Sequence, residues 1–149
     1  MTDPSYPLTS KRRRLPDEGT LEVFVANEQA AQPVETSRWQ QLAENVLEAE
    51  GIRGDAELSL LFVDEETITE LNERFMGANE PTDVLSFPID GRDPLPDGMP
   101  RALGDVVICP EVVGEEWRWP LAHGLLHLLG YEHGDSMEAR ERVHLAEAE

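Results

Sequence analysis

The chain has 149 residues, which is enough for one hydrophobic core and too few for two domains of ordinary size. Hydrophobic residues make up 40% of it, which excludes a fully disordered chain, and no apolar run approaches the ~20 residues of a membrane-spanning helix. Thirty-one acidic residues against twelve basic ones give a net charge of −19. That charge disfavours non-specific binding to nucleic acid, because such binding depends on neutralising phosphates. A role on RNA or DNA would therefore need a local basic patch or a metal ion.

Two features of the sequence indicate the cytoplasm. The single cysteine, Cys109, has no second cysteine in the chain with which to form an internal disulfide. The N-terminal segment carries basic charge without a following apolar stretch, so it does not have the pattern of a secretory signal. We therefore expect a cytoplasmic chain that makes no contact with a membrane.

In chain order, residues 1–20 come first, with three prolines, four clustered bases and no hydrophobic periodicity. This composition predicts a disordered N-terminal arm, followed by a single domain over residues 21–149. Apolar runs within that domain predict four strands, at Leu21–Val25, Leu58–Val63, Thr82–Pro88 and Gly104–Cys109.

Helical patterns alternate with these strands. Apolar residues recur at helical spacing after Thr36 and stop at Gly51, and a second helix is expected between a capping Asp64 and Gly77. The C-terminal third of the chain has a helical pattern apart from a break at Gly130. This order predicts an α+β fold in which a small mixed sheet of about four strands packs against helices.

Three of the four histidines, His123, His127 and His133, fall within eleven residues. Residues four apart share one face of a helix, so His123 and His127 can converge on one ion, and Gly130 can end the helix and return His133 toward it. Three neutral imidazoles that leave one coordination position open are the pattern of catalytic zinc, although imidazole also suits nickel, copper and iron. The structural alternative is three histidines that are hydrogen-bonded separately. The spacing favours one metal ion, with Zn²⁺ preferred, at a C-terminal helix-turn.

The residue after the first histidine separates this segment from the zinc peptidases. Their H-E-x-x-H signature places a glutamate general base directly after the first histidine, whereas this chain has Gly124 there. The nearest carboxylate in sequence is Glu132, beside His133, and it is a candidate catalytic residue. The pattern therefore disfavours a peptidase.

Three segments resemble the YbeY family, bacterial rRNA maturation factors described as metal-dependent, single-strand-specific endoribonucleases. The first segment, H-G-x-L-H-L-x-G-Y-x-H, runs from His123 to His133. The second comprises Leu71, Asn72, Phe75, Gly77 and the run from Pro81 to Pro88, and the third is Leu103–Ile108. The resemblance covers residues 21–134, which is most of the chain.

The resemblance implies that His123, His127 and His133 bind one Zn²⁺ per chain and that residues 81–88 line the cleft above it. It implies a metalloendoribonuclease that cuts single-stranded RNA in 16S rRNA 3′-end maturation and ribosome quality control. The partners it implies are rRNA, the small ribosomal subunit and assembly factors. Three arginines, Arg74, Arg101 and Arg118, are candidates to offset the acidic surface together with the metal.

The chain departs from the family pattern at three places. Met76 stands where the family often has an arginine linked to activity, and Arg74, two residues earlier, is either a catalytic substitute for it or a solvated helix residue. Only the residues Glu111–Ala122 separate the fourth strand from His123, which is a shorter helical lead-in than the family usually has. Glu132 replaces the usual aspartate before the last histidine.

Four other residues are expected to have structural roles. Trp117 and Trp119 are predicted to cover the core, with stacking on nucleic-acid bases as the alternative. Cys109 is predicted to be a buried thiol, and His144 to be an exposed imidazole on the last helix.

Two other functions stay open. The first is a non-catalytic ribosome-assembly module whose metal is structural, which Met76 and the short lead-in favour. The second is another zinc hydrolase, such as a peptidase or an amidase, against which Gly124 argues. A structural site would have a fourth protein ligand, whereas a catalytic site would keep an exchangeable water.

Overall fold

The computed structural model describes residues 8–132 and 134–148. Its elements in chain order are β1 (Leu8–Arg14), β2 (Thr20–Asn27), α1 (Thr36–Ala49), β3 (Ala56–Phe62), α2 (Glu65–Met76), β4 (Val84–Pro88), β5 (Arg101–Ile108), α3 (Pro110–Val113), α4 (Arg118–Leu128) and α5 (Asp135–Ala148). Five strands in this described part form one mixed sheet in the order β1-β2-β3-β5-β4. The α+β class is confirmed, and the expectation of about four strands is one strand too low.

The sheet has apolar layers on both faces. Strands β2, β3 and β5 run parallel, and the edge strands β1 and β4 run antiparallel to their neighbours. Successive side chains of a strand point to opposite faces. In β5, Val106 accordingly belongs to the core that includes α1 and α4, whereas Val107 packs in a second cluster with Ile68 of α2. Helices therefore cover the sheet on both sides, with α4 on the α1 side.

The disordered arm predicted for residues 1–20 is wrong over residues 8–20. Strand β1 pairs with β2 along its whole length, from Leu8 opposite Ala26 to Arg14 opposite Thr20. Leu15, which follows the strand, is buried in the core. An edge strand of this kind carries little hydrophobic periodicity, so the sequence pattern did not reveal it. Residues 1–7 of the predicted arm lie outside the described residues.

The basic side chains of β1 are partly neutralised by acids on the adjacent elements. Arg12 Nε lies 3.1 Å from Glu22 Oε2 on β2, and Arg13 Nη1 lies 2.9 Å from Glu48 Oε2 on α1. These contacts place alternate residues of β1 on opposite faces of the sheet, with Arg13 on the α1 side. Charge on an edge strand also discourages edge-to-edge pairing with other chains.

Helix α2 begins and ends where the sequence predicts. The side chain of Asp64 accepts a hydrogen bond of 2.8 Å from the backbone N–H of Thr67, which satisfies one of the free donors of the first turn. This hydrogen bond lowers the pKa of the Asp64 carboxyl. Gly77 ends the helix in the left-handed region, at φ 76°.

Helix α4 carries the two described histidines of the predicted metal site, and it is buried on most of its surface. The side chains that pack inward include Leu121, Leu125 and Leu128, which join the core of the sheet. Neither this eleven-residue helix nor any other helix in residues 8–132 and 134–148 has the length and apolarity needed to cross a membrane. The helix is held by tertiary packing, as an isolated helix of this length is marginal in water.

Candidate metal centre and its cleft

His123 and His127 lie one turn apart on α4 and direct the same ring nitrogen toward each other. Their Nε2 atoms are 3.1 Å apart. His127 Nδ1 donates a hydrogen bond of 3.0 Å to the backbone oxygen of Tyr131, in the turn after the helix. Because a carbonyl oxygen only accepts, Nδ1 carries the proton of a neutral His127, and its Nε2 presents a lone pair.

Glu141 of α5 contacts the other histidine. Its Oε2 atom lies 3.5 Å from His123 Nδ1, and both side chains are largely buried. A carboxylate at this position favours the tautomer of His123 in which Nδ1 holds the proton and Nε2 is unprotonated. Ligating histidines in proteins commonly have their second nitrogen oriented by a carboxylate or a carbonyl in this way.

The two described nitrogens fit a metal ion. With Nδ1 protonated on both rings, the two Nε2 lone pairs face each other at 3.1 Å, an arrangement that a cation between them would stabilise. Two ligand nitrogens of tetrahedral zinc, each at ~2.0–2.1 Å from the metal, would be about 3.3 Å apart. Residues 8–132 and 134–148 contain no group of three His, Cys, Asp or Glu side chains arranged to hold a metal. The third predicted ligand, His133, lies outside the described residues, so the metal trio stays a prediction.

The histidines stand at a cleft of about 490 Å³. Most of the segment 82–88 lines it, together with Met76, Trp119, His123 and His127. This is the segment that the family resemblance placed above the metal. Among the described residues that line the cleft, Asp83 is the only charged carboxylate and no side chain is an arginine or a lysine.

The two tryptophans of the lead-in have different roles. Trp117 packs against the core, with its ring centroid 4.7 Å from that of Trp39, as predicted. Trp119 is 44% exposed, so the prediction that it covers the core is wrong. Its ring stacks on His123 with centroids 4.8 Å apart and planes 28° from parallel, and it lines the cleft.

The position after the first histidine faces the sheet. A Cβ added to Gly124 would come within 3.0 Å of Val84 Cγ2 and within 3.2 Å of Ser86 Oγ and Val106 Cγ1. The Ser86 hydroxyl also donates a hydrogen bond of 2.8 Å to the Gly124 carbonyl oxygen. The glycine therefore lets α4 approach β4 and β5 closely, and a glutamate here would point between helix and sheet. The chain therefore has neither the glutamate general base of the zinc peptidases nor the space for one at this position.

Gly124→Glu is expected to lower the free energy of unfolding by at least ~3 kcal/mol and to give no peptidase activity. The substitution overpacks the contact between helix and sheet and buries a carboxylate there. Thermal unfolding would measure the loss, with the exposed helical substitution Ala139→Glu as the control for added charge. A folded Gly124→Glu chain as stable as this control would contradict the packing described for α4.

The remaining sequence candidates lie away from the cleft lining. Arg74 and Glu132 are both exposed, and Met76, not Arg74, lines the cleft. Arg101 donates hydrogen bonds to the carbonyl oxygens of Gly91 and Asp93 and so fastens the loop before β5. The catalytic roles of Arg74 and Glu132 stay predictions. Cys109 is buried as predicted, and burial raises the pKa of its thiol.

Sequence reasoning missed a buried network around Glu50, the residue that follows α1. The Glu50 carboxylate accepts hydrogen bonds from Tyr131 Oη at 2.8 Å, Arg140 Nε at 2.7 Å and His144 Nε2 at 2.7 Å. Arg92 adds a contact of 3.2 Å. The network ties the end of α1 to α5 and to the turn that holds His127.

The network also corrects the prediction for His144, which is 2% exposed and not on the surface. Burial of the Glu50 carboxylate would by itself raise its pKa, but the hydrogen bonds from Tyr131, His144 and Arg140 outweigh this effect and lower the pKa. Burial, with the hydrogen bond to Glu50, raises the pKa of Tyr131. Glu50 is therefore a buried carboxylate that stays ionised.

Paired imidazole nitrogens at a cleft, on a helix packed against a mixed sheet, define an α+β protein with a candidate histidine metal centre. A family model described as Endoribonuclease YbeY matches residues 24–149. The chain belongs to the YbeY family of endoribonucleases.

Individual relatives agree with the family match over most of the chain. Endoribonuclease YbeY of Beutenbergia cavernae is 43% identical over an alignment of 127 residues, and the match covers 75% of this chain and 84% of that protein. Endoribonuclease YbeY of Thermobifida fusca is 41% identical over 139 residues, 84% of this chain and 89% of that protein. The solution structure of TM1509 from Thermotoga maritima is similar with a TM-score of 0.53 and 26% identity, covering 85% of this chain and 88% of that one.

Proposed function

We propose that this chain cleaves phosphodiester bonds of single-stranded RNA at the cleft beside His123 and His127. The observation that carries the proposal is the pair of Nε2 atoms 3.1 Å apart at the cleft, in a chain of an endoribonuclease family. One Zn²⁺ per chain would be held by these two histidines and His133. When bound, such an ion supplies Lewis-acid stabilisation of a phosphate oxygen and a water of lowered pKa.

The chain's own residues position the reacting groups. The carbonyl oxygen of Tyr131 and the Glu141 carboxylate contact the Nδ1 atoms of the two imidazoles, whose Nε2 atoms face each other beside the cleft. Trp119, stacked on His123, presents its other face to a base of the substrate. The ring also covers one side of His123 and so limits the access of water to it.

The shape of the cleft favours an unpaired strand. Its apolar lining residues, such as Met76, Val84 and Leu85, suit the flat face of a base, and Trp119 adds a stacking surface. Bases in a duplex are already stacked and paired, so they cannot enter such a cleft without being unpaired first. Specificity for single strands follows from this requirement.

The biological role that fits is 16S rRNA 3′-end maturation and ribosome quality control in the cytoplasm. The net charge of −19 makes free binding of RNA weak. Target choice therefore comes from the partners, which are the small ribosomal subunit and its assembly factors. Without such a partner, the chain acts on accessible single strands with little sequence preference.

Removal of the metal is expected to abolish cleavage reversibly. Chelated protein should leave single-stranded RNA intact, and one equivalent of Zn²⁺ per chain should restore cleavage, because ion and ligands act as one unit. A duplex of the same sequence and a peptide substrate are the controls, and both should remain uncut. Cleavage by the chelated protein, or equal cleavage of strand and duplex, would contradict the proposal.

A second candidate is a ribosome-assembly module with a structural metal. It is favoured by the placement of Arg74 away from the cleft and by the lack of an arginine or a lysine among the described cleft-lining residues. Metal spectroscopy on the loaded chain separates the two candidates. A fourth protein ligand with no exchangeable water would support the structural role, and an open position would support catalysis.

A further inference from the structure

The cleft poses an electrostatic problem for an RNA substrate. Its described lining residues include the carboxylate of Asp83 and no arginine or lysine. Affinity for a single strand comes largely from basic side chains that neutralise phosphates, together with aromatic stacking. Beyond the charge of one metal ion, a chain of net charge −19 that acts on RNA would gain affinity from a basic site close to this cleft.

Such a site lies on the other side of the first turn of α4. A depression of about 390 Å³ there is lined by Lys11 of β1, by Arg38 of α1, and by Trp117 and Arg118 at the start of α4. The other lining residues on α1 are polar or apolar, and none of the described residues that line the depression is acidic. Three of the twelve basic residues of the chain therefore meet at one surface. We name this depression the basic pocket.

The individual side chains suit a phosphate. Lys11 is exposed and lies on the same face of β1 as Arg13, which contacts α1. The Arg38 guanidinium lies over the Trp117 ring, 5.7 Å from its centroid, which orients it. Glu35 is 3.6 Å from Arg38, but both side chains are more than 60% exposed, so this ion pair competes weakly with a phosphate.

The basic pocket and the cleft are joined by adjacent residues. Arg118 lines the basic pocket and Trp119 lines the cleft, and both belong to the first turn of α4. That turn has no acidic residue and no side-chain cap. A strand that crosses this turn would therefore contact both surfaces.

We propose that the basic pocket binds backbone phosphates of the same single-stranded RNA whose base stacks on Trp119 in the cleft. This inference rests on the proposed function. The pocket supplies the charge neutralisation that the cleft lining lacks. Its contribution should appear only with strands long enough to reach both surfaces.

The test compares two double variants that lose the same charge. Lys11→Gln with Arg38→Gln removes two bases of the pocket, and Arg12→Gln with Arg14→Gln removes two exposed bases from the opposite face of β1. Fluorescence anisotropy of the Zn²⁺-loaded full chain would use 2′-O-methyl single strands of about three and about twelve nucleotides over a salt series. Thermal unfolding of both variants checks that the fold is kept.

For the longer strand, the pocket variant should bind on the order of 20-fold more weakly at ~0.1 M salt, and the slope of log K against log salt should fall by about 1.4. The shorter strand should bind the pocket variant as it binds the wild type. The control variant should bind each of the two strands with an affinity within about two-fold of that of the wild type. Arg118→Gln removes the third basic side chain of the pocket and should weaken the binding of the longer strand only.

Equal weakening by both double variants would overturn the proposal, because it would indicate diffuse surface charge. Unchanged binding of the longer strand to the pocket variant would overturn the proposal as well. The proposed function would still hold in that case if the chain binds and cleaves RNA at the cleft. If the wild type cuts neither strand when both are supplied as unmodified RNA, the proposed function itself fails. Binding of the longer strand through the pocket would then show that the two surfaces do not share a substrate.

Discussion

His127→Ala is expected to leave the purified chain without bound Zn²⁺ and to lower cleavage of single-stranded RNA by at least ~1,000-fold. His127 directs its Nε2 atom at that of His123, 3.1 Å away, and the carbonyl oxygen of Tyr131 fixes the ring. Without it, two imidazoles at most remain for the ion, which is too few for a catalytic zinc site. Metal content and cleavage should be measured on the same preparation.

His144→Gln is the matched control, because it removes the one described histidine that lies outside the cleft. His144 contacts Glu50 in the buried network and does not line the cleft. We expect this variant to bind one equivalent of Zn²⁺ while unfolding at a lower temperature than the wild type. Addition of Zn²⁺ should raise the unfolding temperature of the control and not that of His127→Ala, since only a folded site binds the ion. A His127→Ala chain that keeps one Zn²⁺ and wild-type cleavage would refute the assignment.

Local rules predicted the parts of the structure that depend on a few neighbouring residues. Helix α2 begins after Asp64 and ends at Gly77 as expected, because an N-cap and a left-handed glycine act within one turn of helix. The pairing of His123 with His127 followed from helical spacing alone. The same spacing rule explains why Arg74 does not replace Met76 at the cleft, since residues two apart do not share a face.

The features that sequence reasoning missed depend on contacts between distant segments. Strand β1 is recognisable only through its pairing with β2 and the buried Leu15 beyond it, because its own residues show no apolar pattern. The site residue Glu141 lies eighteen positions after His123, and only the packing of α5 on α4 brings them together. His144 looked like a surface residue because no local pattern indicated that Glu50, 94 residues earlier, would contact it.

Glu50→Ala is expected to lower the free energy of unfolding by about 3–5 kcal/mol. The substitution leaves the donors of Tyr131, Arg140 and His144 without the carboxylate to which they are hydrogen-bonded, and Arg140 without its buried counter-charge. For a chain of this length the unfolding temperature should fall by roughly 10 °C or more. Glu50→Gln keeps the shape and part of the hydrogen bonding, so its loss should be about 1–3 kcal/mol.

The pH dependence of stability gives an independent measurement of the same network. The pKa of Glu50 is lowered in the folded chain, because the hydrogen bonds of the carboxylate outweigh its burial. A group with a lowered folded pKa stabilises the fold fully above its unfolded pKa, about 4.3 for glutamate, and that stabilisation is lost as the pH falls through the folded pKa. The wild type should therefore lose more stability than Glu50→Gln on acidification from neutral pH.

Glu57→Gln serves as the control for the loss of one carboxylate, since Glu57 is exposed on β3. Its unfolding temperature at neutral pH should stay close to that of the wild type. Both Glu50 variants should still bind Zn²⁺ when folded, because the oxygen that holds His127 belongs to the backbone of Tyr131. If Glu50→Ala were no less stable than Glu57→Gln, the network could not be what fastens α5 and the turn after α4 to the end of α1.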